Sequence, residues 1–382
     1  MPISLGSGSI TKLMLGTTAV TRVMLGTTQV WAPALYTSIQ PITGTIGTLD
    51  DSVDVTISSV DTALTTLMWR GQTGTSDLNN TRKDNWVRAQ LINSTTVRFT
   101  RGNVAAVGAV SCAVTVIEWS SDWIDTIQRG TIAITNAATS NTATITSIDT
   151  SRSYVSLLGF SSNSTSASNY SYTASPVVVL TNSTTITATT NALESSPTAE
   201  TITISYEAVQ FKAAKVRSIQ YAEFSGSSGT DLTKNVTISS VTPGDCMLIP
   251  NGQYMSSTGA ARWFTAELQS ATNVRFTRGT ASSLDYKVGV TVVELIDTFA
   301  AVENISDSGY VTSATTKDVT ITTLDPAKSF LTYQGYNITA SVDAPHFLST
   351  VVYKDADEAT LTRVGTTALT GGLFKARSHT FI

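Results

Sequence analysis

Apolar and polar residues alternate along most of this chain. In Val55-Thr56-Ile57-Ser58-Ser59-Val60, Val97-Arg98-Phe99-Thr100-Arg101 and Val114-Thr115-Val116-Ile117-Glu118 the period is close to two, which sends one set of side chains inward and the other to solvent. The runs are short and separated by Asn, Ser, Gly and Asp, as in a sandwich or small barrel. Residues 355–363 are the best candidate for a helix, and that stretch is brief. The pattern predicts an all-β protein.

Two repeat periods organise these strands. The shorter is ten residues: ITKLMLGTTAV at 10–20 is followed by VTRVMLGTTQVW at 20–31, with MLGTT identical in both. Each copy reads as short strands around a Gly-Thr turn signal. The longer period is near 177. VTISSV occurs at 55–60 and 236–241, Gly71-Gln72 recurs as Gly252-Gln253, and VRFTRG occurs at 97–102 and 274–279. Interleaved with this pair, ITSIDTSRSYVSLLGF at 145–160 aligns without a gap to ITTLDPAKSFLTYQGY at 321–336, matching Asp149 with Asp325, Ser153 with Ser329 and Gly159 with Gly335.

The chain therefore reads as a segment 1–34 followed by units A (35–122), B (123–214), A′ (215–296) and B′ (297–382). All four units share a VTISSVD-like strand, a turn, a second apolar run and a glycine, which points to an older single-domain duplication. Each unit is the size of one β-sandwich domain, jelly-roll or immunoglobulin-like in length. Their connections, near Trp123, Lys215 and Asp297, are short and not Gly-rich, so an elongated array with little interdomain freedom is expected.

Composition narrows the function. Of 382 residues only 14% are charged and the net charge is −4, while roughly three in ten are Ser or Thr. This excludes a coiled coil, and it gives no basic face for nucleic acid. Normal apolar content argues against disorder. Cys112 and Cys246 have neither the number nor the spacing of a disulfide framework or zinc site. The N-terminus lacks the basic and apolar regions of a secretory signal, and residues 103–119 are too short and too polar to span a bilayer. A soluble protein made in a cytoplasm, without membrane insertion, is expected.

Chemistry-bearing residues are sparse. His346 and His379 are the only histidines, both in B′, and no G-x-S-x-G elbow, GxGxxG or GxxxxGK[ST] loop accompanies them. No catalytic residue, cofactor or metal is assigned. Asp50, Asp51 and Asp54, and Asp355, Asp357 and Glu358, are acidic enough to hold a hard cation, but neither group completes a calcium loop, so solvated charge is the expected role. Arg98, Arg101, Arg275 and Arg278 flank Phe99 and Phe276. They read as an outward strand face guarding an edge, with a duplicated site for carboxylates or acidic sugars as the sharper alternative. Trp69, Trp86 and Trp263 fit core packing or ligand stacking, with packing favoured for the equivalent pair Trp86 and Trp263. Tyr170 and Tyr172, in the polar run SSNSTSASNYSYTAS, are candidate exposed receptor contacts.

The tandem ITKLMLGTTAVTRVMLGTTQVW resembles the short repeats of type I-x-K-V-Y-L-G-x-T-x-V, ending in tryptophan, near the N-termini of tail fibre and minor tail proteins of tailed bacteriophages. Met14 and Met24 stand where an aromatic is common. The β units resemble, more weakly, the Ser/Thr-rich repeated domains of phage structural proteins. The resemblance implies a non-enzymatic virion protein, a tail fibre or tail-tip component held to other tail or baseplate proteins by Leu13, Met14, Leu15, Gly16, Val23, Met24, Leu25, Gly26 and Trp31. It implies assembly in the host cytoplasm, a homotrimer, and contact between the outer domains and a host polysaccharide or protein. The runner-up is a capsid decoration or neck protein with a purely structural role.

Overall fold

The computed structural model describes residues 14–15, 18–19, 23–25, 28–31, 35–74, 86–102, 108–135, 138–163, 175–191, 201–226, 231–255, 264–279, 285–296, 298–307, 315–322, 324–337, 349–363 and 373–382. Among them the regular structure is strand, with a few one-turn 3-10 helices and no α-helix. The alternating pattern wins everywhere. In the stretch with the best helical pattern, Glu358–Arg363 is a strand whose side chains alternate between half-buried and buried, because Ala359, Leu361 and Arg363 sit two apart.

Four short strands come first: β1 (Met14–Leu15), β2 (Thr18–Ala19), β3 (Val23–Leu25) and β4 (Thr28–Trp31). β1 pairs with β2 and β3 with β4, so each ten-residue repeat is one hairpin, with Leu15 opposite Thr18 and Leu25 opposite Thr28.

Each later unit then contributes six strands. Unit A holds β5 (Tyr36–Ile46), β6 (Ser52–Thr56), β7 (Thr65–Thr73), β8 (Val87–Asn93), β9 (Thr96–Arg101) and β10 (Val110–Trp119). Unit B holds β11 (Ile124–Thr135), β12 (Ser140–Thr144), β13 (Ser153–Ser162), β14 (Val177–Asn182), β15 (Thr185–Thr189) and β16 (Thr201–Phe211). A′ repeats the order as β17 (Val216–Gly226), β18 (Thr233–Thr237), β19 (Cys246–Met255), β20 (Phe264–Ser270), β21 (Asn273–Arg278) and β22 (Tyr286–Leu295). B′ ends the chain with β23 (Phe299–Asp307), β24 (Thr316–Thr320), β25 (Ser329–Asn337), β26 (Ser349–Tyr353), β27 (Glu358–Arg363) and β28 (Leu373–Phe381).

Within a unit the strands form two antiparallel triplets, exemplified by β5-β10-β7 and β8-β9-β6 in unit A. The triplets face each other across a core that, in A, takes Ile46, Leu67, Val114 and Val116 from one side and Val87, Ala89, Val97 and Phe99 from the other. This is a β-sandwich held by interdigitating apolar faces. The turn entering the third strand is built alike in every unit. The Ser153 hydroxyl donates to Asp149 O at 2.6 Å, and its counterparts are Thr65 to Asp61 O at 2.6 Å and Ser329 to Asp325 O at 2.7 Å, with the Cys246 thiol reaching Thr242 O at 3.1 Å.

No triplet is a complete sheet by itself. β7 of A pairs with β26 of B′, β13 of B with β8 of A, β19 of A′ with β14 of B, and β25 of B′ with β20 of A′, giving four six-stranded antiparallel sheets. Every unit thus belongs to two sheets, and the last unit completes a sheet with the first. The expected elongated array is replaced by a closed, propeller-like ring of four sheets. Sharing of sheets between neighbours, rather than short connections alone, restrains the units. The third strands β7, β13, β19 and β25 touch one another in cyclic order and surround the pseudo-fourfold axis.

Candidate functional site

The axial strands carry the most distinctive backbone in the molecule. Gly71, Gly159, Gly252 and Gly335 have φ of 102°, 81°, 103° and 100°, a region open to glycine and strained for other residues. Each sits at the junction with the neighbouring unit, opposite Thr350, Arg88, Val177 and Thr265 respectively. A Cβ at these positions would overlap the carbonyl oxygens of Ser349, Val87, Pro176 and Phe264. Glycine therefore lets two backbones meet where two sheets become one.

The residue before each glycine reaches across the junction. Arg70 donates to Val351 O of B′ at 3.3 Å and to Ile42 O and Val114 O of its own unit at 2.9 and 3.0 Å. Asn251 donates to Val155 O and Val178 O of B at 2.9 and 3.0 Å, and Gln334 to Leu248 O of A′ at 2.8 Å. The fourth counterpart, Leu158, packs in the core of A. Burial lowers the Arg70 pKa to about 10, a value that still leaves it charged at neutral pH.

The axis is filled differently at its two ends. Near the starts of the axial strands lies an apolar plug drawn from all four units, including Met68, Tyr154, Met247 and Phe330 with the closing residues Trp119, Phe211, Leu295 and Phe381. Trp119 meets Phe211 and Phe381 edge to face at 5.5 and 5.6 Å, and its indole N–H donates to the Thr66 hydroxyl at 2.8 Å. His379 is fully buried here, where the other units place Ile117, Val209 and Val293. Its ring stacks on Phe330 at 4.7 Å and its Nε2 lies 3.3 Å from the Thr332 hydroxyl. Burial, and secondarily the charge of Arg377, holds its pKa well below the usual imidazole value.

Around the glycines, on the far side of the plug, the strands line a half-open pocket of about 140 Å³. Its described wall carries Trp69, Trp86, Leu157, Phe160, Pro250, Phe264 and Tyr333, with the amides of Gln72, Gln253 and Gln334. Trp86 is buried and stacks on Phe160 at 4.6 Å. No carboxylate, imidazole or cation lies among the described lining residues. Such a site can hold an uncharged, largely apolar molecule by shape and stacking.

The paired arginines are not one site. Three residues apart on a strand, Arg98 and Arg101 point to opposite faces. Arg98 is exposed and forms a two-pronged pair with Asp54 at 2.7 and 2.8 Å. Arg101 is 1% exposed and clamps loop carbonyls, donating to Asp50 O at 2.7 Å, Thr48 O at 2.9 Å, Gly108 O at 2.8 Å and also to Gly47 O. Arg278, equally buried, repeats the bond to Asp231 O at 2.9 Å, and Arg275 lies outside with Asn235. The expectation that all four lie on an outward face is corrected: period two turns Arg101 and Arg278 inward. Arg363 occupies the same place in B′ and is 2% exposed. VRFTR against ATLTR was the signal for it, too degenerate to stand out.

The other candidates are dispersed. Met14, Leu15, Val23, Met24, Leu25 and Trp31 lie in the N-terminal hairpins, whereas Leu13, Gly16 and Gly26 fall outside the described residues. Tyr170, Tyr172, Trp263 and His346 also fall outside them; the two tyrosines belong to the connection from β13 to β14. Asp50 and Asp51 lend backbone oxygens to Arg101 and its amide, Asp355 accepts from the Asp357 N–H at 3.2 Å, and Glu358 pairs with Lys354 at 2.7 Å. Among the described residues no group of three or more His, Cys, Asp or Glu side chains is placed to hold a metal. Cys112 and Cys246 are buried and free. Among the same residues no helix is long and apolar enough to cross a membrane.

No protein-family profile matches the chain, and no curated protein matches it. A solved structure of Sulfolobus turreted icosahedral virus aligns over 68% of this chain and 90% of its own, at 9% identity and a TM-score of 0.14. A TM-score of that size carries no argument about fold or function.

Proposed function

We propose that the protein is a non-enzymatic virion component, a tail fibre or tail-tip subunit, fixed to the particle through its N-terminal hairpins and presenting the four-unit ring outward. The carrying observation is the tandem at 10–31, in which each LGTT copy is one self-contained hairpin set ahead of the ring. An isolated two-stranded hairpin is marginal in water and needs a partner surface. Leu13, Leu15, Val23 and Leu25 supply the apolar side chains such docking would bury. The partners would be other tail or baseplate proteins, and further copies of this chain in the homotrimer that the resemblance implies. Tyr170 and Tyr172 remain the candidate contacts with a host polysaccharide or protein.

The second reading is a capsid decoration or neck protein, and ring closure favours it over an extended shaft, because the last unit pairs with the first and leaves no open end at which further units could be added in series. Deleting residues 1–31 and measuring both incorporation into particles and folding of the remainder tests the main reading. A folded remainder absent from virions is expected; normal incorporation overturns the anchor. Binding of the full chain to host cells or arrayed glycans separates the two readings, since a purely structural subunit binds neither.

A further inference from the structure

We propose that the axial cavity is a binding site for one small, uncharged aromatic molecule that carries an oxygen acceptor. The inference is independent of how the protein attaches to a particle.

A half-open pocket of about 140 Å³ lies where the four units converge, a place that close packing of large side chains would otherwise fill. It arises from unequal side chains at one repeated position. Two residues before the axial glycines stand Trp69, Leu157, Pro250 and Tyr333, so that round the ring each aromatic faces an aliphatic: Trp69 opposite Pro250, and Tyr333 opposite Leu157. The plug at the other end shows that the same four strands can fill the axis when large residues are supplied. The space that remains has flat aromatic walls on two sides.

Size, polarity and hydrogen bonding then define the ligand. An engineered apolar cavity near 150 Å³ accepts benzene, so the volume here suits a single ring. A charged ligand would give up part of its hydration with no counter-charge on the described wall to offset it. Gln253 offers a donor on that wall: its Oε1 accepts from the Phe264 N–H at 3.0 Å, and no described residue accepts from its Nε2. An oxygen on the ring would accept from it. Gln72 uses its Oε1 in the matching way, on the Val87 N–H at 3.2 Å.

The test uses the full-length protein with phenol as probe, followed by tryptophan emission and by the midpoint of thermal unfolding. Trp69 and Trp86 on the wall make the emission sensitive to occupancy. Phenol is expected to saturate below about 10 mM and to raise the midpoint. Toluene, which lacks the oxygen, should bind roughly tenfold more weakly, the loss of one hydrogen bond. Benzoate, of like size but charged, should not bind. Leu157→Phe should lose phenol binding at least tenfold with an undiminished unfolding midpoint; if that variant does not fold, the ligand series on the wild type decides alone. Absence of a saturable phenol response, equal affinity for benzoate, or unchanged binding in a folded Leu157→Phe protein overturns the proposal.

Discussion

Ring closure rests on one strand junction, and Gly71→Ala tests it directly. Gly71 pairs with Thr350, from the opposite end of the chain, at φ 102°. An alanine held in a left-handed conformation costs about 1–2 kcal/mol. Its Cβ would also overlap Ser349 O, a backbone atom that cannot swing aside as a flexible side chain would. Relief requires β26 to draw back from β7, weakening ladder hydrogen bonds worth about 1 kcal/mol each. The expected loss is about 3–5 kcal/mol in all. Gly244→Ala is the control: no atom lies within 4 Å of its Cβ position, and the change should be neutral or stabilise by up to about 1 kcal/mol. Guanidinium midpoints followed by tryptophan emission and far-ultraviolet circular dichroism give the comparison. The A–B junction glycine, Gly159, provides the internal standard, because it would survive in an open array and the Gly71 junction would not. A Gly71→Ala loss below 0.5 kcal/mol alongside a large Gly159→Ala loss would refute closure.

Two further outcomes follow from the buried polar groups. His379 is held neutral when folded and takes a proton near pH 6.5 when unfolded, so the unfolded state binds more protons and stability falls as pH drops below that value. Burial raises the Glu207 carboxyl and acts in the opposite sense, so the readout is a difference: from about pH 7.5 to about pH 5 the wild type should lose more stability than His379→Leu, and equal losses would refute the assignment. Arg98→Ala should leave the denaturation midpoint nearly unchanged, since its pair with Asp54 is exposed. Arg101→Met should cost about 2–4 kcal/mol, because buried loop carbonyls lose their donor. Similar denaturation midpoints for the two variants would contradict the opposite-face reading.

Much of the architecture could be read before any coordinates, and what could be read was local. Period-two alternation in VTISSV and VRFTR specifies strands because a pleated backbone sends neighbours to opposite faces, and it overrode the weak helical pattern at residues 355–363. The LGTT copies mark hairpins because a turn signal is a property of a few adjacent residues, and the strands flanking each copy pair with each other. Matches such as Asp149 with Asp325 and Gly159 with Gly335 marked equivalent places, though not what stood there. Arg101 shows the limit within a single strand: its inward face followed from counting three from Arg98, but its role needed the loop carbonyls of residues 47–50 and 108.

Closure, the sharing of sheets and the axial cavity were decided by tertiary structure. A repeated unit encodes its own strands equally well in a line or a circle. The choice depends on how each third strand meets the next unit, through four glycine junctions and the cross-junction bonds of Arg70, Asn251 and Gln334, summed until the last unit reaches the first. Contacts between Gly71 and Thr350 leave no periodic trace because they join residues remote along the chain. For the same reason His379 reads as an isolated histidine in sequence and becomes a stacked core residue only when the strands that bury it are brought to one axis.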